Sequence, residues 1–526
     1  MSAGTRPDQL RFATLLVVAV AVVYAAPLFS GSYFPGLDIP WHAAAAEVLH
    51  ARDPFRFLGY FEVDRQFPSY LTVYYAVDAI AFVARDTALA MQIVVALYVA
   101  AFVLGARSLI RSFGGSGVLA VLAAPAALSI VMEFGFITYA VTYPLVFFLW
   151  ASVRRASQRP TALRAVAIAL LMAAVSISHP FAAFVGAGGA GLIVLVEARR
   201  ETIGGCAGVA AAVALGLLPA VYALVAIGPG HGVPVPPEIA SADLWTRMSY
   251  QVFNGLDVSL AAAPARTFGH IPVIARFALF GVGLSAAVIA RHVAGLKLPP
   301  VAGARATAGL LLFAMVAIYL LTPETFYWPR FWYMVQPRHL PIIWVLALCV
   351  LRVDDRAPHL RRAAAVAMPV TAAALVVWIA TAWLPFSRES QDFRAVVTAS
   401  RPEAKTLALI EQPQARDREP AGPFRNFGAH LLALRGGYVS HLPMATGYTG
   451  ILTPVNRAPD SPPLLPQTHP GTPRTFDWDT HAAPWDQFLI RDLDANARFD
   501  YFRDHASEVE LIAQQGRWRL YERTPR

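Results

Sequence analysis

Long apolar runs separated by short basic segments fill the first 384 residues of this 526-residue chain. The runs fall at 12–29, 87–106, 118–132, 136–151, 163–178, 181–196, 203–227, 273–290, 306–321, 340–351 and 363–384. A helix needs about 20 apolar residues to cross the hydrocarbon core of a bilayer, fewer or more with mismatch and tilt. The pattern therefore predicts a polytopic α-helical membrane protein with about 11 transmembrane helices. Arg6 and Arg11 before the first run resemble a secretory signal, but Pro27 directly after Ala25-Ala26 suits a cleavage point badly, so the run reads as an uncleaved span. The aromatic stretch 69–84 is ambiguous because Asp78 interrupts it, and counting it as a span would reverse every later loop.

Charge placement resolves the ambiguity. Basic residues favour the cytoplasmic side of short loops. With 69–84 outside the spanning set, Arg107 and Arg111, Arg154 and Arg155, Arg159 and Arg164, Arg199 and Arg200, Arg291, Lys297 and Arg305, and the group Arg352, Arg356, Arg361 and Arg362 all share the side of the amino terminus. The amino terminus is then cytoplasmic. The opposite side receives loops 30–86, 228–272 and 323–338 together with the tail. Within the first loop Trp41, Ala45, Val48 and Leu49 recur at helical spacing, which predicts a juxtamembrane helix lying in the interface.

After residue 384 prolines, charges and turn residues replace the apolar runs. Stretches 407–410, 488–490 and 518–521 read as strands, and Pro-rich 454–473 as a loop without regular structure. The expected organisation is a membrane module over 1–384 followed by a small extracytoplasmic α/β domain over 385–526.

Composition excludes a water-soluble fold. Hydrophobic residues make up 56% and charged residues 15% of the chain, whereas soluble domains carry roughly 25% charge. The net charge of +9 is spread singly and in pairs between apolar runs, so it marks topology and gives no nucleic-acid patch. The two cysteines, Cys206 and Cys349, lie in apolar runs and form no disulfide framework. A Walker-type phosphate loop, a dinucleotide fingerprint, a zinc-spaced Cys/His set and a Gly-X-Ser-X-Gly elbow are all missing from the sequence, which argues against soluble nucleotide chemistry.

Ionisable groups at a membrane surface are costly and point to function. The strongest constellation is Gly36-Leu37-Asp38-Ile39-Pro40-Trp41-His42. A helix beginning after Asp38 places His42 one turn on, and the pair then suits a hydroxyl, a metal ion or a phosphate. Alternatively, Asp38 is a helix cap. Glu133 lies in the next external turn and His179 in Ser176-Ile-Ser-His-Pro, where it reads either as a helix end or as a phosphate or metal group. Arg330, Arg338 and His339 sit among the aromatic residues of Phe326-Tyr-Trp-Pro-Arg-Phe-Trp-Tyr and Gln336-Pro-Arg-His. They read as phosphate ligands or as an aromatic belt with arginines reaching lipid headgroups. Asp243, Trp245, Arg247 and Asp257 shape either an acceptor site or an amphipathic helix.

A long first span, an external loop opening with an acidic residue near an aromatic and a His, and the helical run 43–50 together resemble the GT-C superfamily of polytopic glycosyltransferases. Phe67-Pro-Ser-Tyr-Leu-Thr-Val-Tyr-Tyr looks like the second juxtamembrane helix of that superfamily. The resemblance implies transfer of a sugar from a polyprenyl-phosphate donor to an acceptor glycan, lipid or protein on the external face of a bacterial inner membrane. It maps the general base onto Asp38 and a second acid onto Glu133, with His42, His179, Arg330, Arg338 and His339 left to bind substrate. Attack opposite the leaving phosphate implies inversion. The Asp-X-Asp or Glu-X-Asp form of some members is missing from the first loop, so a divalent ion, Mg or Mn, held by Asp38, Glu133 and His179 stays open. Two other readings remain: a lipid-linked sugar flippase or transporter, for which mid-membrane charges are scarce, and a noncatalytic envelope scaffold of the same fold.

Overall fold

Backbone amides have no water to bond in hydrocarbon, so apolar runs close their hydrogen bonds within helices. The computed structural model describes residues 7–53, 55–63, 70–197, 203–227, 304–321, 334–351, 366, 370, 373, 377, 383–410, 422–440, 452–454, 476–491, 501–502 and 504–524. In chain order the helices are α1 (Pro7–Ala25), α2 (Ile39–Ala51), α3 (Leu71–Ala84), α4 (Thr87–Ser112), α5 (Thr142–Gln158), α6 (Ala162–Ser178), α7 (Pro180–Glu197), α8 (Ile203–Ile227), α9 (Ala304–Leu321), α10 (Leu340–Val350) and α11 (Ala429–Arg435). Two compact units share the chain: residues 1–27, 96–132 and 137–379 form one, and residues 28–95, 133–136 and 380–526 the other.

The first unit is helical. Among the described residues four helical stretches are long and apolar enough to cross a membrane: Thr87–Ser112, Ile137–Gln158, Pro180–Glu197 and Gly204–Val225. The expected runs 273–290 and most of 363–384 lie outside the described residues. Run 118–132, expected as one span, is instead a 3-10 segment, Gly117–Ala123, followed by two single turns, Ala124–Ala127 and Ile130–Glu133. Pro125 has no amide to continue a hydrogen-bond ladder, and Ser116 starts the segment by accepting from the Val118 amide at 3.4 Å. Helix packing relies on close approach. A Cβ at Gly216 of α8 would stand 2.6 Å from the Ala169 carbonyl oxygen of α6, so only glycine lets these two backbones meet. A buried ion pair joins α5 to α7: Arg154 Nε lies 3.3 Å from Glu197 Oε1, which also accepts from Thr307 Oγ1 of α9 at 2.9 Å. Charges removed from water require such partners.

The second unit holds α2, α3 and a five-stranded sheet. Its strands are β2 (Lys405–Ile410), β3 (Tyr438–Val439), β5 (Gln487–Arg491), β6 (Val509–Gln515) and β7 (Trp518–Arg523), while β1 (Phe61–Val63) and β4 (Leu452–Pro454) form a separate antiparallel pair. The order is β3-β2-β5-β7-β6, with β2 parallel to both neighbours and the other two pairings antiparallel. The strand stretches expected at 407–410, 488–490 and 518–521 thus lie within β2, β5 and β7. Thr-Leu-Ala-Leu-Ile of β2 and Gln-Phe-Leu-Ile-Arg of β5 are buried throughout, as central parallel strands require. Arg491, fully buried at the end of β5, bonds Glu389 at 2.6 Å and stacks 4.4 Å over the Phe424 ring. The outer strand β6 carries Glu510, Gln514 and Gln515 as exposed residues, which discourages pairing with another chain. The chain leaves β2 through α11 to β3 on one side and returns to β5 on the other, so the carboxyl end of β2 is a topological switch point.

Helix α2, expected as a juxtamembrane helix, is covered by protein over most of its length. Ile39, Pro40 and every residue from His42 to Val48 are buried. The side chains of Ala43 to Ala46 are short enough for protein to cover the helix on all sides, and a helix apolar all round belongs in an interior. Arg56 secures its far end by pairing with buried Glu47 and donating to the Ala433 carbonyl of α11 at 3.1 Å.

Candidate active site

The turn before α2 sets the position of Asp38. Gly36 bonds back to the Phe34 carbonyl, Pro40 fixes the first helical residues, and the Asp38 carbonyl accepts the His42 amide at 3.1 Å. Asp38 occupies the N-cap position with φ −96° and ψ −6°, and its side chain makes no capping hydrogen bond. Capping residues ordinarily sit in the extended region and bond the amide two or three positions on. Pro40 removes one of those two donors, since it has no N–H. The carboxylate instead accepts from Asn426 Nδ2 at 3.1 Å, and the same amide group donates to the Leu37 carbonyl at 3.0 Å. The cap reading of Asp38 thus gives way to a half-buried carboxylate held from another part of the unit.

The structure brings the Glu133 segment onto this turn. The Leu37 amide donates to the Glu133 carbonyl at 2.9 Å and the Asp38 amide to the Phe134 carbonyl at 3.2 Å. Gly135 makes the approach possible: its φ is +78°, and a Cβ there would lie 2.6 Å from the Asp38 nitrogen. The Glu133 side chain is half-buried.

His42 points away from open solvent. It is buried, stacks on Trp41 at 4.3 Å and meets the Tyr74 hydroxyl of α3 through Nδ1 at 2.6 Å. Burial lowers its pKa from 6.5 to about 3, against a smaller opposing effect of its hydrogen bond with the Gly135 backbone. A neutral ring that donates to a carbonyl has one nitrogen left to accept from Tyr74. Burial, and after it the Asp38 charge, raises the Tyr74 phenol above its usual range, so Tyr74 remains a donor. His42 thereby braces Gly135 against α3. The unfolded chain protonates this imidazole as pH falls through 6.5, whereas the folded protein does so only near 3, so stability is lost across that window as pH falls. His430 of α11, buried and lowered to about 3 by the same cause, adds to the loss. The His42→Gln variant should show a shallower decline in denaturant-melt stability between those pH values, by up to about 1.4 kcal/mol per pH unit.

Among the described residues no group of three or more His, Cys, Asp or Glu side chains is placed to hold a metal ion.

A crystal structure of ArnT from Cupriavidus metallidurans bound to undecaprenyl phosphate superposes with a TM-score of 0.55 at 13% identity, over 98% of this chain and 99% of that one. The chain has the GT-C fold. No protein-family model and no curated protein matches the sequence. Within the GT-C fold the remaining expected residues belong to the helical unit. Arg338 is buried, with Nη1 3.5 Å from His179 Nε2, Nε donating to the Met334 carbonyl at 3.3 Å and the guanidinium 5.1 Å from the Tyr139 ring centroid. Tyr143 fixes the local backbone by donating to the Arg338 carbonyl at 2.8 Å. His179 is the hinge residue between α6 and α7, its amide bonded to the Val175 carbonyl and its carbonyl to the Ala183 amide. His339 is fully buried beside Phe181, with ring centroids 5.7 Å apart, and neither ring nitrogen has a hydrogen-bond partner among the described residues. A buried arginine among histidines and tyrosines offers forked donors and positive charge, the chemistry that a phosphate requires. Arg330, Asp243, Trp245, Arg247 and Asp257 lie outside the described residues.

Sequence reasoning missed Asn426. A single Asn in Pro423-Phe-Arg-Asn-Phe-Gly carries no local signal, being 388 positions from the carboxylate it touches. Asn426 also lines a small cleft of about 10 Å³, roughly a single water in size, at the carboxyl ends of β2 and β3, together with Arg425 and Ser440.

Proposed function

We propose that this protein is a membrane glycosyltransferase that moves a sugar from a polyprenyl-phosphate donor to an acceptor hydroxyl on the extracytoplasmic face. The reading rests above all on Asp38, a carboxylate at a helix start that is not engaged in capping and is held by Asn426, in a chain with the GT-C fold. The binding of undecaprenyl phosphate by ArnT, which shares that fold, supports a polyprenyl-linked donor.

In the proposed reaction the acceptor oxygen attacks the anomeric carbon, Asp38 takes the hydroxyl proton, and the bond from that carbon to the phosphate oxygen breaks. The bonding pair leaves with the lipid phosphate, and attack from the opposite side inverts the anomeric centre. Glu133 serves as the second acid of the external loops. Arg338, with His179 and His339, and Arg330 from the aromatic loop supply the charge and donors for the phosphate. The chain carries about 11 spans, with a cytoplasmic amino terminus and the carboxy-terminal domain outside a bacterial inner membrane.

Full-length protein in proteoliposomes, given undecaprenyl phosphate carrying radiolabelled hexose or pentose and a lipid extract as acceptor, should release undecaprenyl phosphate and yield a labelled product of inverted configuration. Intact transport of donor across the vesicle without bond cleavage would replace this reading with a flippase.

A further inference from the structure

Asn426 carries more than a packing role. Its side-chain amide has two N–H groups, one directed to the Asp38 carboxylate and one to the Leu37 carbonyl. One rigid group therefore fixes the carboxylate relative to its own backbone. Asn426 is itself braced, because its carbonyl accepts the Ala429 amide at 3.0 Å at the start of the crossover to β3. The competing seat for the carboxylate is the Trp41 amide, the capping donor that Pro40 leaves available.

We propose that Asn426 is a positioning residue for Asp38, so that the carboxy-terminal α/β domain completes the catalytic end of α2 and does not merely follow the membrane module. This rests on the reading of Asp38 as general base. Asn426 withholds the carboxylate from the helix cap and holds it through a charge-assisted hydrogen bond. Asn426 also borders the cleft at the carboxyl ends of β2 and β3. The titratable and charged groups on the elements packed around the turn are His42 on α2, Tyr74 on α3, Glu133 in the segment bonded to it, and Arg425 beside Asn426. All four are kept in the test.

The experiment reads transfer by the full-length protein in proteoliposomes, with labelled polyprenyl-phosphate donor and a lipid extract as acceptor, for Asn426→Ala, Asp38→Asn and the double variant. In Asn426→Ala kcat should fall at least tenfold with KM little changed, and Asn426→Ser, which keeps a donor, should lose less. Because Asn426 acts through Asp38, adding Asn426→Ala to Asp38→Asn should cost no further rate. A wild-type kcat in folded Asn426→Ala, or losses that multiply in the double variant, would overturn the positioning role. Wild-type transfer by Asp38→Asn would instead overturn the base assignment alone.

Discussion

The Asp38→Asn variant should fold, insert and bind the proposed donor as the wild type does, but transfer sugar at least a hundredfold more slowly. A positioned general base contributes about 10²- to 10⁴-fold to a rate, and the amide has the shape of the carboxylate without its basicity. The backbone bonds of the turn, Asp38 to Phe134 and His42 to Asp38, do not involve the side chain and survive the change. The loss should therefore fall on kcat, leaving KM within about threefold. Single-turnover measurement with labelled donor checks this, because a slow product-release step cannot mask the chemical step there. Transfer at the wild-type rate would remove the proposed base.

Gly135→Ala is expected both to destabilise the second unit and to disturb the Asp38 turn. Two costs combine. A non-glycine residue at φ +78° costs on the order of 1–3 kcal/mol, and the new Cβ would meet the Asp38 and Ile39 nitrogens at 2.6 and 2.8 Å. Backbone atoms cannot step aside as a flexible side chain can, so the 133–136 segment must part from the Asp38 turn. Gly59→Ala is the matched control, with φ +70° but nothing within 4 Å of its Cβ. Both variants lose the left-handed freedom of glycine; only Gly135→Ala disturbs Asp38. Denaturation midpoints should fall in both and further at position 135, whereas transfer should fall only there. Equal transfer loss in the two would show that strain, and not the approach of Gly135 to Asp38, is responsible.

Much of the fold was legible in the chain because its causes are local. Apolar runs without charge make helices wherever they occur, and run 203–227 matches α8 residue for residue. The helix beginning after Asp38 was legible from Pro40 and the spacing of Trp41, Ala45, Val48 and Leu49. The β2, β5 and β7 stretches were visible as short apolar segments between turn residues. The irregular 3-10 and single-turn form of 118–132 was not legible, because hydropathy is blind to a missing amide and Pro125 interrupts the ladder without lowering the apolar content. How far protein covers α2 was not legible, because spacing does not reveal what covers a helix of small alanines.

The sequence by itself determined which residues are helical, which side chains carry ionisable chemistry, and that Asp38 stands at a helix start. Only the tertiary structure decided which donor that carboxylate accepts from. Whether an acid caps its own helix or bonds elsewhere depends on which donor reaches it in space. Here that donor is Asn426, brought from the far end of the chain by the crossover of a parallel sheet. Local periodicity encodes the direction of a side chain within its own element, but a hydrogen bond between residues 388 positions apart exists only once the elements have packed.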